Sequence, residues 1–325
     1  MKEEEIRPQK LFDELLRLSI EDIDIYFKDS NYKKIKCPSC GKDGEFIFNK
    51  NGFNFEECKS CKSFYVSPRP DKESFDEYYT NSESTKYWAN TFYHATKDAR
   101  IEKIWKPKVL QIIDKIDKIY QDVECIVEVG GGYGLFMEEF LKKKNLNHYV
   151  IEPSPDLAQE CRKKNLNVIR KFLEDIVPLD IDSNKKLFVS FELFEHLFDP
   201  KLFLDTLFNV MDSGEIFIFT TLNGMGVDLQ SLMEDSKSVS PPFHVNFFNP
   251  KSINSLLKRS GFELIEVSTP GKLDIDILKN NKENIKDRFI KNFLEYANED
   301  EQHKMQEFIS QNNLSSHMMI ICKKV

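Results

Sequence analysis

The chain has 325 residues, of which 40% are hydrophobic and 31% charged, and its formal net charge is −8. That suits one large globular domain with a smaller appendage, and a net acidic chain is a poor default for wrapping nucleic acid. No apolar run approaches the ~20 residues of a membrane span, and the charged start MKEEEIRPQK lacks the apolar core of a signal peptide, so a cytoplasmic location is expected. There, the seven cysteines point to metal or free thiols rather than disulfides.

Taken in order, residues from about Leu11 to Phe27 have helical periodicity and predict a lead-in helix. Residues 36–70 differ: short strand-like pieces (EFIFN, FNFEEC, SFYVS) are punctuated by Gly and Pro and bracketed by cysteine pairs. A helical, aromatic-rich segment follows, with Pro107 predicted as a kink or break. From Val123 onward strands and helices alternate, through VECIVEVG, LFMEEFLKKK, HYVIEP, PDLAQECRKKN, LFVSFE, PKLFLDTLFNVM, EIFIFTTL, PKSINSLLKRSG and FELIEVSTP. Such alternation predicts an α/β fold with a doubly wound, mainly parallel sheet. Charged helical sequence fills about 274–313, and HMMIICKKV reads as a closing strand. The division expected is a helix at 1–30, a zinc ribbon at 31–70, a helical lid or linker at 71–120, and a cofactor-binding α/β domain at 121–325.

Cys37-Pro-Ser-Cys40-Gly and Cys58-Lys-Ser-Cys61 have the spacing of a four-thiolate zinc site. Four thiolates leave no open position for water or substrate, so the zinc expected there is structural. Cys125, Cys161 and Cys322 fall inside predicted elements and read as ordinary buried residues. The aromatics Phe46, Phe48, Phe53, Phe55, Phe64 and Tyr65 either stack on bases or form the small module's core, and the core is favoured.

IVEVGGGYGLF ends the first strand of the α/β region. Gly130, Gly132 and Gly134 permit a sharp turn against a helix N-terminus, but Leu135 occupies the last position of a dinucleotide G-x-G-x-x-G. Glu152 ends the next strand, about twenty residues on, where a carboxylate can accept both hydroxyls of a ribose.

With EVGGGYG, VIEPS, FELFEHLFDP and HVNFFNPKSINSLLKRSGFELIEV, the region from about Val123 to Val325 resembles class I S-adenosylmethionine (SAM)-dependent methyltransferases. The resemblance implies a seven-stranded sheet and SAM as cofactor. It implies that Gly130, Gly132, Tyr133 and Gly134 flank the methionine part, that Glu128 holds the amino group, and that Glu152 holds the ribose. Leu173 and Glu174 would lie by the adenine, and Glu192 where SAM sits. The ribbon, the YYTNSESTKYW segment and the tail resemble bacterial small-molecule methyltransferases, many acting on sugars or glycan precursors. Trp88, Phe92 and Arg100 read as a lid over SAM or as helix packing.

Methyl transfer to a hydroxyl requires alignment and proton removal, which suits histidine. His196 follows the 187–191 strand and His244 lies in the loop SPPFHVNFFNP, so these two are the candidate catalytic residues. His148, His303 and His317 read as solvated or capping, and His94 lies on the aromatic helix. Glu192, Glu195 and His196 also match an E-x-x-E-H arrangement that resembles ubiquinone-pathway O-methyltransferases, where it implies Mg²⁺ or Mn²⁺. An N/D-P-P-Y/F motif is lacking, which speaks against nucleobase methylation. The reading is SAM-dependent O-methylation of a sugar, nucleotide-sugar or glycan precursor, with a small-molecule partner. Sugar C-methylation, RNA methylation read through the ribbon, and a non-catalytic SAM-fold binding protein are the alternatives.

Overall fold

The computed structural model describes residues 1–325. A short helix, Glu3–Ile6, precedes the lead-in helix Gln9–Tyr26. Three antiparallel strands follow: β1 (Gly44–Lys50), β2 (Phe53–Cys58) and β3 (Phe64–Val66). Helix Lys72–Asn81 starts where the Asp71 side chain accepts from the Ser74 N–H, a standard N-terminal cap.

From Glu83 to Ile119 the chain is helical almost throughout, with π-helical turns at Trp88–Phe92 and Ile101–Trp105. Pro107 does not break it. The proline falls in the first turn of the segment Lys106–Ile119, just after the second π-turn. The wider turn shifts the hydrogen-bond register there, and the first turn of a helix has no use for the N–H that proline lacks.

The α/β region contributes β4 (Cys125–Val129), β5 (Asn147–Ile151), β6 (Val168–Ile169), β7 (Lys186–Phe191) and β8 (Ile216–Leu222). Then come β9 (Asn246–Phe247), β10 (Phe262–Ser268) and β11 (His317–Lys324). Seven of these form one sheet, in the order β10-β11-β8-β7-β4-β5-β6, with only β11 antiparallel to its neighbours. Alternate residues serve opposite faces. Ile126, Val150, Leu187, Val189 and Ile218 pack under helices Lys106–Ile119, Leu135–Leu141 and Pro155–Lys163. Val127, Val129, Phe188, Phe217 and Phe219 pack on Pro200–Val210 and Pro250–Arg259. A strand buried on both faces must read as a continuous apolar run, which explains LFVSF and IFIF.

Strand β9 leaves this arrangement and joins the ribbon, giving a second sheet in the order β1-β2-β3-β9. The carboxyl ends of β4 and β7 lie side by side, and the connections leave them in opposite directions. In an open α/β sheet that switch point is where a ligand crevice forms. No helix is long and apolar enough to cross a membrane.

Candidate active site

Gly130 (φ +73°), Gly132 and Gly134 (φ +66°) are all left-handed. Gly130 donates its N–H to the Ile151 carbonyl at 2.9 Å, tying the loop to the end of β5. A Cβ on Gly134 would sit 2.5 Å from Leu166 Cδ1, so the loop packs too closely for any side chain there. Behind the loop, Glu128 ends buried at 3% exposure, and its Oε2 has no hydrogen-bond partner. Burial pushes its carboxyl well above the usual range. Glu152 accepts from the Gly132 N–H and the Ser154 N–H, both at 2.9 Å. Burial raises it to about 7, against those two bonds. An orphaned buried carboxylate oxygen and a second carboxylate on a left-handed glycine loop fit a ligand carrying an ammonium group and a diol.

Tyr133 does not face outward from the loop. Its ring stacks on Tyr93 at 4.3 Å and its hydroxyl donates to the Ala89 carbonyl, so it fastens the helical segment across the loop. Leu173 is buried in the main core, and Glu174 is exposed beside it.

At the end of β7 the chain turns sharply. Glu192 has φ +52°, a left-handed conformation that costs a non-glycine residue about 1–2 kcal/mol. The turn aims its carboxylate at β8 and β11. Oε1 accepts from Thr220 Oγ1 at 2.6 Å, with His317 Nδ1 at 3.3 Å and Lys108 Nζ at 3.5 Å. Burial would raise Glu192, but His317 and Lys108 hold it well below the ordinary carboxylate range. The expected Glu192–Glu195–His196 metal set is therefore not what forms. The groups that converge are Glu195, His196 and His244, whose ligand atoms all lie within 4.8 Å of one another.

Glu195 is 2% exposed and accepts from Thr221 Oγ1 at 2.9 Å. Burial, and then the neighbouring Glu192 charge, raise its carboxyl. The rings of His196 and His244 stand 4.7 Å apart at 70°. His244 Nδ1 bonds the Ser238 carbonyl at 2.6 Å. Burial lowers His196 to about 3, with His244 adding to it, and lowers His244 to about 4. Both imidazoles are neutral at physiological pH.

What brings the His244 loop to the His196 turn is Arg69, at the exit of the ribbon and 2% exposed. It donates to the Phe198 carbonyl (2.6 Å), the Val245 carbonyl (3.1 Å) and Asn246 Oδ1 (2.7 Å). Asn246 in turn donates to the Leu197 carbonyl at 2.7 Å. Sequence reasoning missed Arg69 and Lys108, and set His317 aside. A buried arginine after a Ser-Pro turn carries no signal until its partners, more than a hundred residues away, are known.

The four ribbon cysteines also converge, with Cys37 Sγ 3.5 Å from Cys61 Sγ and Cys40 Sγ 3.4 Å from Cys58 Sγ. Their loops are alike: Gly41 N–H bonds the Cys37 carbonyl and Lys62 N–H the Cys58 carbonyl, and both residues are left-handed. A tetrahedron of thiolates about 2.3 Å from an ion has edges near 3.8 Å, so the set suits zinc after a small expansion. Phe48, Phe53, Phe55, Phe64 and Tyr65 are buried, and Phe64 stacks on Phe247 of β9 at 4.3 Å. Only Phe46 of the six ribbon aromatics is exposed.

The family described as methyltransferase domain matches residues 99–267, just over half of the chain. The chain belongs to that family. It is a SAM-dependent methyltransferase, and SAM is the family's cofactor. Among solved structures it is similar to a SAM-dependent methyltransferase from Archaeoglobus fulgidus (16% identity, 71% of this chain and 100% of that one, TM-score 0.47). It is also similar to a SAM-dependent methyltransferase from Thermotoga maritima (14%, 73% and 98%, TM-score 0.47). A third is geranyl diphosphate C-methyltransferase from Streptomyces coelicolor A3(2) (10%, 71% and 83%, TM-score 0.47). Among curated proteins, none matches.

Proposed function

We propose that this methyltransferase acts on a hydroxyl of a small molecule, with a sugar, nucleotide-sugar or glycan precursor as the substrate class. The observation that carries the reading is the meeting of His196, His244 and Glu195 after β7, in the turn whose Leu193 packs against Gly130 of the glycine loop. Two neutral imidazoles there can accept a hydroxyl proton and hold the oxygen in line. Bound SAM supplies a methyl group activated on a sulfonium.

In this reading Glu128 takes the ammonium on its unpartnered oxygen, and Glu152 accepts the ribose hydroxyls while Gly132 fixes it in place. The helical segment at 71–120 lies over the loop as a lid, fastened by Tyr93 and Tyr133. Cys37, Cys40, Cys58 and Cys61 hold a structural zinc. The ribbon's aromatics are spent on its own core, which favours a scaffold over a reader of RNA bases.

The test is a screen of nucleotide sugars with SAM, read by mass spectrometry for the gain of one methylene. His196→Ala and His244→Ala are each expected to lower turnover at saturating substrate by about 10²-fold or more, the usual worth of general-base catalysis. If neither variant slows turnover, the assignment of these histidines is wrong. A methyl group resistant to ether cleavage would make the product C-methylated instead.

A further inference from the structure

The three groups at the head of the crevice each offer a lone pair, and the burial-raised Glu195 carboxyl holds a proton where an ion would otherwise sit. With its Nδ1–H given to the Ser238 carbonyl at 2.6 Å, His244 is left a bare lone pair on Nε2. The His196 ring stands beside it, the two rings 4.7 Å apart. Glu195 adds a carboxylate that is almost wholly out of water. The neighbouring donors are turned elsewhere: the Tyr79 hydroxyl donates to the Phe243 carbonyl at 3.2 Å, and Lys108 points at Glu192 and Thr220. Three convergent lone-pair donors repel one another unless something positive lies between them.

Their outer contacts have the same character. The His244 imidazole is oriented by the Ser238 carbonyl, and Glu195 is held by the Thr221 hydroxyl at 2.9 Å. This is how metal-ligating side chains are fixed in tautomer and direction.

We propose that Glu195, His196 and His244 form a binding site for a divalent first-row transition ion, each giving one ligand atom. Two nitrogens and one oxygen suit iron, cobalt, nickel or zinc better than magnesium or calcium. Three protein ligands leave coordination positions open toward the crevice. Those positions take an oxygen donor, and a vicinal diol or hydroxy acid fills two of them. The ion then takes the lone pairs that otherwise serve as proton acceptors and acidifies the bound hydroxyl itself. Only this last use rests on the methyl-transfer reading; the site stands on its own geometry.

The experiment counts metals on the full-length chain. Protein carrying one zinc per chain, the amount the four thiolates hold, is titrated with Co²⁺, and metal per chain is measured by mass spectrometry. Wild type is expected to take up one Co²⁺ beyond the zinc at the cysteines. Glu195→Gln, His196→Ala and His244→Ala each weaken that uptake by at least about tenfold. Calorimetry with S-adenosylhomocysteine on every variant shows that the fold and the cofactor loop persist. Wild type that binds S-adenosylhomocysteine but no second metal overturns the site and leaves the methyltransferase reading intact. A second ion retained by all three variants overturns it as well.

Discussion

Glu152 is a carboxylate that the fold keeps poised. Its oxygens rest on the Gly132 and Ser154 N–H groups, but burial dominates and raises it from 4.5 to about 7. Glu128 on β4 and the Cys161 thiol on the following helix face it and add no positive charge. Because the raised value belongs to a carboxyl, the folded protein holds an extra proton between pH 4.5 and 7. Stability from this group is therefore greatest at low pH and falls as pH rises through that window, by on the order of 3 kcal/mol in all. In the proposed role, accepting ribose hydroxyls needs the ionised form. S-adenosylhomocysteine is accordingly expected to bind more weakly as pH drops below 7, by up to tenfold per pH unit for each proton taken up. Glu152→Gln is expected to flatten the share that Glu152 carries. Calorimetry across pH 5 to 8 measures this, and a flat wild-type profile refutes it. That the glycine loop meets Glu152 was legible because one strand–loop–strand unit fixes their spacing. Glu192 was legible as a polar group in an apolar run, but its direction was not. Its left-handed turn and its partners Lys108, Thr220 and His317 come from three separate elements.

The alternation of apolar strands and amphipathic helices made the large sheet readable, since each strand is buried on both faces and each helix on one. Two-residue strands such as β6 and β9 have no period to detect. The long helical run from Glu83 was readable as helix, yet its two π-turns were not, because nothing in a single sequence marks a register shift. Those turns bracket the part that crosses the glycine loop. Tyr93, between them, is 5% exposed and stacks on Tyr133. Tyr93→Ala removes a buried ring and its stacking, a loss of about 3–5 kcal/mol if the gap stays open. Limited proteolysis between Trp88 and Trp105 is expected to speed up in that variant, and S-adenosylhomocysteine affinity to fall. Tyr133→Phe keeps the stack and loses only the bond to the Ala89 carbonyl, so it should cost about 1 kcal/mol. Equal effects from the two substitutions would mean that the stack does not hold the helical segment over the loop.

At the scale of the whole molecule the ribbon is built into the catalytic domain rather than hung from it. Strand β9 completes the ribbon sheet one residue after Val245, and Val66 N–H bonds the Val245 carbonyl at 3.0 Å. Arg259 donates to the Ser39 carbonyl at 2.6 Å, and Asn249 to the Cys61 carbonyl at 2.9 Å, so the cysteine loops rest on helix Pro250–Arg259. Phe27 of the lead-in, Phe53, Phe55 and Phe64 of the ribbon, Tyr78, and Leu229, Val245 and Phe247 of the catalytic domain share one core. The cysteine spacing announced a ribbon but gave no hint of this shared sheet, because the fourth strand arrives from 180 residues downstream. Elements with a common core and a common sheet unfold together. Tryptophan fluorescence reports the catalytic side, since Trp88 and Trp105 lie on the helix over the glycine loop, while a chromophoric chelator reports release of the zinc proposed at the cysteines. The two signals are expected to change at the same denaturant concentration. Cys58→Ser should lower that midpoint for both and disorder the 245–247 segment that follows His244 and anchors its loop, cutting turnover more than S-adenosylhomocysteine binding. Phe247→Ala, which opens the core at the junction, should cost about 3–5 kcal/mol. Two separate transitions, with the tryptophan midpoint unmoved by Cys58→Ser, would show that the ribbon is an independent appendage and that His244 is held by its own loop alone.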